Sequence, residues 1–177
     1  VAATLTHADL SDVVAGRPEA DALDALAALA AALANATLHA LDVSDNALGE
    51  KGVRALGAAL TSQRALRSLT VNNVGASVHA CQALAELVAH AGELRALEFH
   101  NNMTACEGAL AIASLVSRAP ALTSFRMASS RVGLEGGAAL AGALVGSGGH
   151  ALESLDLSDN ALTSAAGPHL AAAIRAH

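Results

Sequence analysis

Leu41 to Leu60 reads LDVSDNALGEKGVRALGAAL, and its two halves follow different periods. Leu41 and Val43 alternate with polar neighbours, the period of a strand whose alternate side chains face one side. Asn46 stands where the chain must turn, and Leu48 plugs back inward. Beyond Gly52, the residues Val53, Leu56 and Leu60 recur at helical spacing. A strand followed by a helix returning beside it has more apolar surface than one unit can bury. It needs neighbours of its own kind.

The chain supplies them. Leu41, Leu69, Leu97, Phe125 and Leu155 open the same pattern at intervals of 28, 28, 28 and 30 residues. Two residues after these openers stand Val43, Val71, Phe99, Met127 and Leu157, and five after them stand Asn46, Val74, Asn102, Ser130 and Asn160. A weaker copy begins near Ala8, 33 residues before Leu41, with about five extra residues placed in its loop. The L-x-L-x-x-N-x-L phasing resembles the leucine-rich repeat. It implies a single α/β domain over residues 1–177: a solenoid of about six strand–helix repeats, each of about 28 residues. Its parallel strands lie inside and its helices outside, in a right-handed horseshoe like that of ribonuclease inhibitor. The chain stops after the sixth helix without a polar cap, and Val1 is no initiator, so a piece of a longer array is expected.

Composition narrows the classes. The chain is 53% hydrophobic, yet this comes from Ala-rich helices, and the longest apolar run, Ala25 to Ala34, is too short to span a membrane. The eight His are scattered without ligand spacing, so no metal is expected. Cys81 and Cys106 stand at different places in their repeats and read as small buried hydrophobes in a reducing compartment. No nucleophile elbow or phosphate loop occurs, and Gly136-Gly137 opens a repeat helix without a P-loop Lys. By motif alone the chain is a binding scaffold.

The residues one, three and four after each opener are expected to face solvent on the concave side. They include Asp9, Asp12, Asp42, Asp45, Glu98, Asp156 and Asp159 against the single Arg126. An acidic face of this kind favours a basic protein partner and speeds the encounter. It argues against nucleic acid, as does the lack of aromatic platforms. The structural alternative is an ordinary polar sheet surface.

Four stretches carry a closer resemblance: LSDVVAGRPEADAL, LDVSDNALGEKGVRAL, LEFHNNMTACEGALAIASLVSRAP and SSRVGLEGGAAL. Together they resemble the N-terminal half of the leucine-rich repeat domain of Ran GTPase-activating proteins of the plant and green-algal type, from about Ala8 onward. That resemblance implies a protein of the cytoplasm, held at the nuclear envelope when full-length, that stimulates GTP hydrolysis by Ran in nucleocytoplasmic transport. The partner is a Ran-type small GTPase in its GTP state, which carries the GTP and Mg itself, so this chain needs no cofactor. The resemblance further implies that such activators position the GTPase's own catalytic Gln. The family's loop Arg is matched by Arg17 in AGRP, and its Asn at the third strand end by Asn73 in VNNVG. Val74 departs from the family pattern beside Asn73. The expected partner contacts are Asp12, Asp42, Asp45, Asn72, His100, Asn101 and Ser129, with Arg131 of SSRVG. The other reading is a non-catalytic leucine-rich interaction module, which has no reason to combine AGRP, VNNVG and HNNMT.

Overall fold

A computed structural model describes residues 4–146 and 152–177. Its strands are β1 (His7–Asp9), β2 (Ala40–Asp42), β3 (Ser68–Thr70), β4 (Ala96–Glu98), β5 (Ser124–Arg126) and β6 (Ser154–Asp156). They form one parallel sheet in chain order. The register aligns Ala8, Leu41, Leu69, Leu97, Phe125 and Leu155 in a single row, which is the row of openers. The ladder runs past the strands themselves, for Val43 N bonds Thr70 O at 3.0 Å and Val71 N bonds Glu98 O at 2.8 Å. Phe99 N and Met127 N extend it to Arg126 and Asp156.

Behind the sheet run α1 (Glu19–Leu33), α2 (Gly49–Ala55), α3 (Gly57–Ser62), α4 (Val78–Leu87), α5 (Ala105–Val116), α6 (Leu134–Gly146) and α7 (Gly167–Arg175). A 3-10 turn, Ser164–Ala166, leads into α7. Helices of successive repeats pack on one another, and one continuous apolar core lies between them and the sheet. Leu41, Leu69, Leu97 and Phe125 are fully buried there, with Val43, Val71, Phe99 and Met127 beside them. In the sixth repeat Leu155 and Leu157 are only partly buried, because no strand follows β6 in the described residues. Glycine matters where helices meet: a Cβ at Gly136 would stand 2.7 Å from Ala109 Cβ, so α6 can approach α5 only without one.

Four expectations need correction. The second repeat's helix is not continuous, since Leu56, at ψ 2°, and the poor helix former Gly57 divide α2 from α3. Its inward face survives, with Val53, Leu56 and Leu60 buried. The first repeat's extra residues are not all in the loop. α1 begins eleven residues after Ala8, against eight or nine in repeats two to five, and its 15-residue length absorbs the remainder. Cys81 is buried but Cys106 is only half-buried. Ser44 and Ala128, expected at the solvent, are also buried. The Gly-rich connection read at 146–149 lies outside the described residues after Gly146.

The Asn five residues after each opener explains how the repeats are stitched together. Asn102 is 3% exposed; its Oδ1 accepts Val74 N and Ala76 N, and its Nδ2 donates to Val71 O and His100 O. Asn160 makes the equivalent bonds to Ser130, Val132 and Met127. Asn46 bonds Val14 N and Leu10 O. Each amide therefore serves its own turn and the repeat before it. Ser130 does this with a hydroxyl directed at Phe99 O and Ala128 O. Val74 is fully buried and has no such group; one turn back, Leu48 N bonds Asn46 O within its own loop.

A second device closes the helix ends. Arg118 donates from Nη1 to Val88 O at 3.0 Å and from Nη2 to Ala85 O at 2.5 Å, placing a cation on the C-terminal carbonyls of α4. Arg118→Ala is expected to cost about 1 kcal/mol. A thermal melt should then show Tm lower by roughly 2–4 °C, and an unchanged Tm would remove the clamp.

Candidate functional site

Where each strand leaves the sheet, the residue four after the opener is left-handed. Asp12, Asp45, Asn73, Asn101, Ser129 and Asp159 have φ of 54°, 58°, 53°, 55°, 50° and 52°. Each still gives its N–H to the ladder where a following strand exists, as Asp45 N does to Asn72 O and Asn73 N to His100 O. The chain then swings outward at once. Asp and Asn tolerate this conformation better than most residues, so the recurring Asp/Asn pattern is first a backbone requirement. The sequence analysis places these residues at the solvent-facing surface, and their left-handed backbone is a signal it does not use.

Their side chains project from one edge and meet. Asn73 Nδ2 donates to Asp45 Oδ1 at 2.9 Å, and Asn101 Nδ2 donates to Asn73 Oδ1 at 3.0 Å. Farther along, Ser129 Oγ donates to Asp159 Oδ2 at 2.8 Å. Asp12, Asp45, Asn73 and Asn101 are exposed and Ser129 is half-buried. Asn73 thus points outward, as expected beside Val74, but both ends of its amide are engaged.

Two residues further on lies a second row: Ala47, Gly75, Met103, Arg131 and Ala161, all exposed. Met103 is 53% exposed, an apolar knob beside the amide row that sequence reasoning passed over. Arg131, Asn101, Ser129 and Asp159 line an open depression of about 390 Å³.

The concave surface carries its own chain of bonds. Asp42 Oδ1 accepts Ser44 N, Ser44 Oγ accepts Asn72 N, and Asn72 Oδ1 accepts His100 N at 2.7 Å. Asn72 Nδ2 also donates to Glu98. These bonds fold side chains over Ser44, which is why it is buried. Arg126 pairs with Asp156 at 2.9 Å, so the one cation expected there is neutralised. Bonds from the hydroxyl and the N–H of Ser158, and secondarily Arg126, hold the Asp156 carboxyl below its ordinary range; Ser11 does the same for Asp9.

Arg17 sits apart. It is exposed, its Nε bonds Val13 O at 3.2 Å, and it lines a cleft of about 180 Å³ with Leu23, Leu48 and Lys51. One strand, β2, separates its repeat from that of Asn73, a span of roughly 10 Å at strand spacing. The structure therefore joins Asn73 to Asp45 and Asn101, while Arg17 is bonded to its own loop. Burial pushes the Cys81 thiol up to about 12, which keeps it protonated and unreactive. Among the described residues no three His, Cys, Asp or Glu side chains gather as a metal site. What the edge can do is present fixed amide and carboxylate groups to another polar surface.

Comparison with known sequences agrees with this architecture. A family model described as Leucine Rich repeat matches residues 34–57 and 150–167. The fold is that of a leucine-rich repeat solenoid. RAN GTPase-activating protein 1 of Arabidopsis thaliana is 52% identical over 65 residues, which is 37% of this chain and 12% of that protein. RAN GTPase-activating protein 2 of the same plant is 54% identical over 65 residues, with the same shares. The similarity is thus to plant Ran GTPase-activating proteins, and the matched part spans about an eighth of their length. No helix among the described residues is long and apolar enough to cross a membrane.

Proposed function

We propose that this chain engages a Ran-type GTPase in its GTP state along the strand-end edge and stimulates its hydrolysis of GTP. The carrying observation is the exposed Asn73 carboxamide, held from both sides by Asp45 and Asn101. One N–H and one lone pair of that amide remain free, the complement of a glutamine side chain. Asn73 would orient the GTPase's own catalytic Gln, while Arg17 supports the contact from the first loop. GTP and Mg belong to the partner. The similarity to plant Ran GTPase-activating proteins supports the choice of partner, and it is the ground for placing the work in nucleocytoplasmic transport, in the cytoplasm or at the nuclear envelope.

Single-turnover hydrolysis by GTP-loaded Ran, with and without the chain, tests the proposal. Acceleration that saturates with chain concentration is expected. Binding without acceleration would leave a non-catalytic interaction module.

Two variants separate the roles. Arg17→Ala should weaken binding and lower the rate together, because in this reading its side chain supports the contact from outside the amide row. Asp42→Asn should slow association and flatten its salt dependence, since it removes one charge from an acidic surface. Stopped-flow association at low and physiological ionic strength reads the second effect. An unchanged salt slope would remove steering from the account.

A further inference from the structure

We infer that Asp45 is a positioning residue that fixes which way the Asn73 carboxamide faces. Its consequence for catalysis rests on the proposed function, whereas the orientation itself is a property of the chain alone. A carboxamide has a donor end and an acceptor end, and two neighbouring amides can pair with either polarity. Asn73 and Asn101 alone could bond from Asn101 Nδ2 to Asn73 Oδ1, or the reverse. Asp45 breaks that symmetry. An ionised carboxylate only accepts, so the group facing Asp45 Oδ1 at 2.9 Å must be the Asn73 NH₂. The Asn73 oxygen is then turned to Asn101, whose Nδ2 meets it at 3.0 Å.

The direction matters because a partner glutamine also has two distinct ends. With Asp45 in place, the free N–H of Asn73 always lies toward the second repeat and the free lone pair toward the fourth. A flipped amide would offer a donor where the partner presents a donor. The left-handed backbone at Asp45, φ 58°, limits which residues can do this, for Asp and Asn accept it while most others are strained. Asp45 therefore carries two duties, one long-range through its charge and one local through its oxygen.

Two substitutions separate them. Asp45→Gly adopts φ 58° freely and loses both charge and oxygen. Asp45→Asn loses the charge equally but keeps an acceptor, though no longer an exclusive one. At saturating concentrations of the chain, Asp45→Gly should lower the single-turnover rate of GTP-loaded Ran about tenfold, the equivalent of one charge-assisted hydrogen bond. Asp45→Asn should lose only about twofold, because roughly half of its pairs keep the working polarity. In the free chain, the side-chain ¹⁵N–¹H₂ signals of Asn73 should shift and exchange faster in Asp45→Gly than in the wild type. Equal saturated rates for the two variants would overturn the positioning role in catalysis. Asn73 amide signals unmoved by Asp45→Gly would overturn the orientation itself. If the wild-type chain fails to accelerate hydrolysis, the proposed function falls, and the amide signals still decide the orientation.

Discussion

Asn73→Gly is expected to lower the rate of GTP hydrolysis in the saturated complex by about 10²–10³, the loss typical of removing one preorganised transition-state donor. Glycine is the informative substitution, because Asn73 has φ 53° and an alanine there would add backbone strain to the loss of the amide. The exposed side chain anchors no core, so the melting temperature should change little while the rate falls. Binding should weaken less than the rate, since an interaction formed mainly in the transition state is lost from kcat rather than from affinity. Single-turnover kinetics across a range of chain concentrations separate the two. A variant that binds weakly but hydrolyses at the wild-type rate when saturated would make Asn73 a docking residue.

Asn102→Ala is expected to be the costliest single change on this edge, at about 3–5 kcal/mol of stability. Its amide is buried, and its loss strands Val74 N, Ala76 N and Val71 O inside the turn, while His100 O keeps its bond from Asn73 N. Each stranded buried group costs ~1–3 kcal/mol, with part recovered by relaxation. The fifth repeat suggests the matching rescue, for Ser130 fills the same place with a hydroxyl. Asn102→Ser should therefore recover part of the loss. Denaturant unfolding of the three chains checks the order. An Asn102→Ala chain within about 1 kcal/mol of wild type would show that the turn holds without its amide.

The openers were legible because burial enforces them: a strand residue facing the core must be apolar, and 28-residue spacing sets the row. The turn amides were legible for the same reason, since Asn46 and Asn102 fill buried polar positions and Asn160 a half-buried one. The helix break at Leu56 was not, because apolar spacing continues through it, and the division of the first repeat's extra residues left no compositional mark. Position 73 was readable as an exposed Asn. Its bonds to Asp45 and Asn101 were not, because they cross between repeats and depend on how six left-handed turns stack. The burial of Ser44 and Ala128 depends in the same way on neighbouring strands rather than on their own segments.

The missing amide at Val74 has a mechanical consequence. The side chains of Asn46, Ser130, Asn102 and Asn160 each reach back across one boundary between repeats, whereas Val74 crosses its boundary only through its main-chain O, which accepts Gly49 N at 3.3 Å. The boundary between the second and third repeats therefore has no amide staple and relies on sheet ladder, apolar packing, the Gly49–Val74 and Ser44–Asn72 bonds and the exposed Asn73–Asp45 bond. Pulled from its two ends, the array should part at this seam first, as two stiff blocks joined by a softer hinge. Arg17 rides on one block and Asn73 on the other. A few degrees of give at the joint changes their separation without disturbing either core, so the edge can fit itself to a curved surface by bending where it is least tightly sewn.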